Sequence, residues 1–139
     1  EPNSLPAAVR VIAGILALGF FVLLIYLTFI TGGRTNWKVK DVKKRWWEKD
    51  LVTTGAYALC RHPSVWAMFF FCLLLVPAGN LDPWYATIFS VCGLLLAMYE
   101  DINVFPVLMR GYNAYKDTTP FLFPTKESIR RCFKGKKAR

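Results

Sequence analysis

Residues Thr53 to Trp66 read TTGAYALCRHPSVW, and the proline in this stretch marks where the chain enters the helix around which the rest is arranged. Proline suits the first turn of a helix, where its missing N–H has no partner to lose and its φ is already helical. Pro63 therefore opens a helix that continues into the apolar run after it, and Arg61 and His62, the chain's one histidine, stand at its mouth. Gly55 and Tyr57 just before them fit a turn that delivers an amphipathic aromatic to the same place. Each residue also has an ordinary role: an arginine at a membrane helix end snorkels, and a histidine beside a proline caps. The context decides between the two.

Downstream, two apolar runs, Val65 to Val76 and Trp84 to Met98, are joined by Pro77-Ala78-Gly79-Asn80-Leu81-Asp82-Pro83. Two prolines, a glycine and an asparagine in so short a connector make a tight reversal, so the pair is a helical hairpin. Upstream, Val11 to Ile30 is twenty residues without a charge, about 30 Å of helix and the thickness of a hydrocarbon core. Ala13, Gly14, Ala17 and Gly19 give that helix a small-residue side for close packing. Between it and the hairpin, Arg34 to Asp50 mixes Trp37, Trp46 and Trp47 with lysines and arginines, the composition of an amphipathic segment lying at the headgroup level.

The expected fold is an all-α integral membrane domain over 1–139, with three transmembrane helices at about 8–31, 63–77 and 83–104. The interfacial segment and a basic C-terminal tail, 125–139, complete it. Of eighteen Lys and Arg, eight lie from Arg34 to Arg61 and nine from Arg110 to Arg139. The positive-inside rule puts loop 34–61 and the C-terminus on one side and the N-terminus with the hairpin tip on the other. The start of the second helix and the end of the third then share a membrane face, so Arg61, His62, Glu100 and Asp101 can meet. Ionisable residues at that depth are costly unless paired, which makes them functional candidates.

A 55% hydrophobic chain of 139 residues is too apolar for an ordinary soluble domain. The net charge of +9 does not point to nucleic acid, because the basic residues lie beside apolar runs and not on a folded polar face. Four widely spaced cysteines and a single histidine indicate neither a metal site nor a disulfide framework. The chain begins at Glu1 without an initiator methionine, for which a cleaved targeting segment is one reading.

Glu100-Asp101 closes the third helix, and Pro106 limits how far it can continue. Carboxylates at a helix C-terminus oppose the macrodipole, so a cationic partner is expected, either Arg61 or the positive charge of a ligand. Gly111-Tyr112-Asn113-Ala114-Tyr115, then Thr119 to Pro124, lead into the basic tail, which reads as a lipid-facing anchor or a disordered end.

Taken in order, Gly55 and Tyr57, Arg61-His62-Pro63, Glu100-Asp101, Tyr112 and Tyr115, and Pro120 and Pro124 resemble the motifs of the isoprenylcysteine carboxyl methyltransferase and phospholipid methyltransferase superfamily over residues 51–124. The resemblance implies a methyltransferase-like core that holds S-adenosylmethionine without a Rossmann fold, at the membrane-boundary end of the hairpin. It implies Gly55, Tyr57, Arg61, His62, Glu100, Asp101 and Tyr112 as cofactor-binding residues. Arg61 and Glu100 are the catalytic candidates, with Glu100 as base if the acceptor is an amine. The chain departs from the family at Val65-Trp66, Leu108-Met109, Asp101 and Pro106, and in having only three long helices.

Two functions follow. One is transfer of a methyl group to a lipophilic acceptor, an isoprenylcysteine carboxylate or a lipid headgroup. The other is a catalytically silent, methyltransferase-like subunit of a larger membrane complex, favoured by the departures and the small size. Anionic lipid headgroups are expected partners of the basic loop and tail. The endoplasmic reticulum and the mitochondrial inner membrane fit alike.

Overall fold

The computed structural model describes residues 5–31, 51–109 and 111–134, and all regular secondary structure among them is helical. Helix α1 (Ala7–Ile25) runs on as a π-helical segment, Tyr26–Thr31; the short α2 (Ala56–Leu59) precedes α3 (Pro63–Leu75). Helix α4 (Pro83–Tyr99) runs on through a second π-helical segment, Glu100–Val104, into α5 (Phe105–Leu108), and α6 (Tyr112–Thr118) and α7 (Lys126–Lys134) complete the chain. The expected amphipathic segment over 34–50 and the last five residues of the tail lie outside the described residues.

Pro63 and Pro83 open α3 and α4 at their first positions, as the sequence predicts. Between them the reversal is closed by backbone. Gly79 takes the left-handed conformation, φ 78°, and the Asn80 N–H reaches back to the Leu75 carbonyl at 3.1 Å. That bond satisfies an acceptor left over at the end of α3, and the conformation it needs is one glycine adopts without strain.

Helix α3 is the shared neighbour, since α1 and α4 both pack on it and not on each other. The seams are made of small residues: Ala13 and Ala17 of α1, Ala67 and Cys72 of α3, and Ala86 and Ala97 of α4 are buried. Small side chains let helix backbones approach closely, so dispersion contacts do the holding. Phe20 on Phe70 (5.2 Å between centroids) and Phe21 on Phe71 (5.3 Å) fasten α1 to α3. Of the small residues expected on α1, only the two alanines lie in the seam; a Cβ at Gly14 or Gly19 would meet nothing within 4 Å.

Two continuous helices, Ala7–Phe29 and Pro83–Leu108, are long and apolar enough to cross a membrane. Helix α3 is equally apolar but has 13 residues. The faces turned away from the seams carry large bare hydrophobes, among them Ile15, Leu18, Leu95 and Ile102.

Pro106 does not stop its helix. The Phe105 N–H bonds to the Glu100 carbonyl, one residue further back than in an α-helix. This π-turn lets the proline, which has no N–H to contribute, fall at the start of a new α turn. The helix therefore reaches Leu108 before Met109 turns extended.

Candidate functional site

The site forms where α3 begins and the α4 continuation ends. Gly55 sets its edge, with φ 63° and ψ −132°, a conformation essentially confined to glycine. It turns the chain into α2 so that the Tyr57 hydroxyl donates to the Leu27 carbonyl at 2.7 Å. The Tyr115 hydroxyl in turn donates to the Tyr57 carbonyl at 2.6 Å. One aromatic pair thus ties together the π-helical end of α1, α2 and α6.

Residues 119–124 form a strap across the mouth of α3. The Arg61 N–H donates to the Pro120 carbonyl (2.9 Å) and the His62 N–H to the Phe121 carbonyl (3.2 Å). The Trp66 indole N–H donates to the Leu122 carbonyl (2.9 Å). The His62 N–H is one that a helix start leaves without an intrahelical partner, and the Arg61 N–H and Trp66 indole flank it. Phe121 completes the strap by covering the His62 ring (4.9 Å between centroids) and lying under the Arg61 guanidinium (5.6 Å).

Asp101 is the hub. Its Oδ1 accepts from the Tyr112 hydroxyl at 2.5 Å and lies 3.2 Å from His62 Nε2; its Oδ2 lies 3.0 Å from Arg61 Nη1 and 3.3 Å from Lys116 Nζ. A carboxylate offers about four acceptor positions, and all are taken. Because the carboxylate only accepts, the His62 proton must sit on Nε2. Asp101 is itself only 4% exposed, and a charge so buried holds its ionised form only with partners of this kind.

Successive helical residues point about 100° apart, and Glu100 accordingly looks elsewhere. It lines a cavity of about 210 Å³ with Tyr57, Arg61, His62, Tyr112 and Tyr115, and with Thr28 of the π-helical end of α1. Met109 and Phe105 close part of the wall. Of the seven residues the sequence proposes, Tyr57, Arg61, His62, Glu100 and Tyr112 meet on this one cavity. Gly55 and Asp101 do not line it; the first shapes the turn beneath it and the second holds its residues from behind. Trp66 leaves the cavity open, being turned toward Leu122 and Phe123.

The electrostatics follow from burial. Burial holds the His62 imidazole below its usual pKa, against the opposing pull of Asp101, so the ring is neutral. Burial, reinforced by the Asp101 carboxylate, pushes the Tyr112 phenol far above its usual range and keeps its proton in place. Cys60 is pushed up to about 11 by burial and is no nucleophile at neutral pH. Arg61 has one loose end: its side chain is 9% exposed, yet its Nε donor has no partner among the described residues.

Sequence reasoning missed Lys116 and Phe121. Lys116 follows Tyr112 by one helical turn and shares its face, a signal present in the sequence. The position of Phe121 depends on the strap and has no local signal. No family model, curated protein or solved structure matches this chain.

Proposed function

We propose that the chain is an integral membrane methyltransferase that moves a methyl group from S-adenosylmethionine to a lipophilic acceptor. The observation that carries this reading is the convergence of Tyr57, Arg61, His62, Glu100 and Tyr112 on one cavity at the end of an apolar hairpin. The apolar faces of α1 and α4 suit lipid, since soluble monomers rarely bare contiguous patches of more than a few hundred Å². On this reading α3 crosses as well. Thirteen residues make only about 20 Å of helix, so Arg61 and His62 are drawn to the membrane boundary, where their pairing with Asp101 offsets the cost of charge close to lipid.

The wall suits the cofactor's amino-acid end. Glu100 offers a carboxylate for an ammonium, Arg61 a guanidinium for a carboxylate, and Tyr57, Phe105 and Tyr112 aromatic surface for a sulfonium. About 210 Å³ is below the ~300–1,000 Å³ of pockets that enclose a whole drug-sized ligand, so the nucleoside extends past these walls. The cofactor supplies an electrophilic methyl group. The protein's share is orientation and exclusion of water: Asp101 fixes Arg61, Arg61 and Glu100 fix the ligand's charged end, and the acceptor arrives from the bilayer. An amine acceptor can lose its proton to Glu100, and a carboxylate acceptor has none to lose.

The cavity's size and the saturation of Asp101 favour a second reading, a methyltransferase-like subunit that serves assembly of a membrane complex and binds no cofactor. Calorimetric titration of the purified protein in detergent with S-adenosylhomocysteine separates the two. Saturable binding that Glu100→Gln weakens by about tenfold or more supports the enzyme, a charged hydrogen bond being worth that much. A folded sample that takes up no ligand at millimolar concentration sinks it in favour of the subunit.

A further inference from the structure

Helix α7 lies outside the candidate site and has a surface of its own to account for. Its start is well fixed. The Ser128 N–H donates to Thr125 Oγ1 (3.2 Å) while the Thr125 N–H donates to Ser128 Oγ (2.8 Å), a reciprocal cap. Its inner side is also held: α7 packs on α2, Cys132 Sγ lies 3.5 Å from the Gly55 carbonyl, and Arg131 Nη2 donates to the Thr118 carbonyl. The sequence expectation of an anchor or a disordered end thus resolves into a helix over Lys126–Lys134. Its outer side is not covered. Phe133 is 86% exposed, and Ile129, one turn earlier on the same face, is bare as well.

Cations stand beside that apolar face. Helix α7 itself carries Lys126, Arg130, Arg131 and Lys134 against one carboxylate, Glu127. Between α6 and α7 a cleft of about 490 Å³ is lined by Arg130, Arg131, Lys134 and Thr118, together with Asp117 and Glu127. An exposed aromatic beside a cleft lined by Arg130, Arg131 and Lys134 suits an occupant with an apolar body and an anionic phosphate. The aromatic run Phe70, Trp66, Phe123 leads from lipid-facing α3 to the strap that carries α7, so a bilayer is at hand.

We propose that α7 docks on the surface of a bilayer containing anionic phospholipid, with Phe133 and Ile129 among the upper acyl chains and headgroup phosphate against Arg130, Arg131 and Lys134. Peripheral helices of this composition bind by apolar burial plus attraction to anionic lipid. The inference rests on the bilayer reading above and is independent of methyl transfer.

The test places a nitroxide on Phe133→Cys in a Cys92→Ser, Cys132→Ser background of the full chain, reconstituted in lipid nanodiscs. Co-elution of protein with discs of phosphatidylcholine alone checks the bilayer reading separately. In discs with phosphatidylserine, the label should collide mainly with oxygen, which partitions into acyl chains; in neutral discs, mainly with a water-soluble nickel chelate. Arg130→Gln with Lys134→Gln, which spares the Arg131 bond to Thr118, should lower the docked-to-free ratio about 25-fold, each cation being worth about fivefold. Nickel access in both lipids overturns the proposal. So does oxygen access in both, which would mean insertion without regard to charge, and so does shielding from both reagents, which would mean a protein partner or a second copy.

Discussion

Arg61 and Asp101 are 40 residues apart in the chain and 3.0 Å apart in space, and this pair joins the two arms of the hairpin at its open end. With His62, Tyr112 and Lys116 also on Asp101, a single buried carboxylate fixes the relative positions of α3, the α4 continuation and α6. Removing one partner of a buried pair strands the other charge. Asp101→Ala should therefore cost about 3–5 kcal/mol, read as a loss of resistance to denaturation in detergent. An unchanged midpoint would mean that Arg61, His62 and Lys116 find other partners once the carboxylate is gone.

Tyr112 gives the smaller test of the same hub. Its hydroxyl donates to a charged acceptor at 2.5 Å in a buried setting. Tyr112→Phe keeps the ring against Phe105 and removes only the bond. The expected loss is about 1.5–3 kcal/mol; an unchanged unfolding midpoint would show that the other partners of Asp101 suffice.

The pH dependence should carry the mark of one histidine, because the chain has no other. Burial sets the folded pKa of His62 below its ordinary 6.5, so the unfolded chain binds the proton first as the pH falls. His62's contribution to stability is full above about pH 6.5 and is lost as the pH falls from there through the folded pKa, by up to about 1.4 kcal/mol per unit. Unfolding followed from pH 7.5 to 5.5 should show the slope, and His62→Gln should flatten it. A slope of the opposite sign would mean that the ring is protonated in the folded protein.

The strap predicts a local effect. Trp66→Phe retains an aromatic ring beside Phe70 and loses the bond to the Leu122 carbonyl, at a cost of about 1 kcal/mol. Amide exchange at Arg61 and His62, whose N–H groups bond to the same strap, should quicken with it. Exchange that quickens evenly over the whole hairpin would indicate a global loss instead.

Gly55→Ala tests the turn that presents Tyr57. The native φ of 63° with ψ of −132° admits an alanine only with strain, at about 1–3 kcal/mol. Thermal unfolding of the variant should fall accordingly, and an unaltered midpoint would mean that the turn relaxes without cost.

Helix positions were legible because they depend on local signals. Pro63 and Pro83 start their helices wherever they fall, and uncharged runs such as Val11 to Ile30 announce their own length. The nearness of Arg61 to the Glu100-Asp101 pair was legible too, since a hairpin returns to the level at which it began. Two things were not. Pro106 reads as a helix end, but a π-turn shifts the hydrogen-bond register and absorbs the missing N–H. Glu100 and Asp101, equivalent as letters, divide into a cavity carboxylate and a saturated hub.

The sequence alone determined an all-helical chain with long apolar helices and placed charged residues at the ends of the hairpin, because hydropathy and proline act over a few residues at a time. Only the tertiary structure decided which carboxylate faces the cavity and that the strap covers Arg61 and His62. Those outcomes depend on contacts between residues far apart in the chain, where side-chain direction and the supply of partners decide, and no short stretch of sequence carries either.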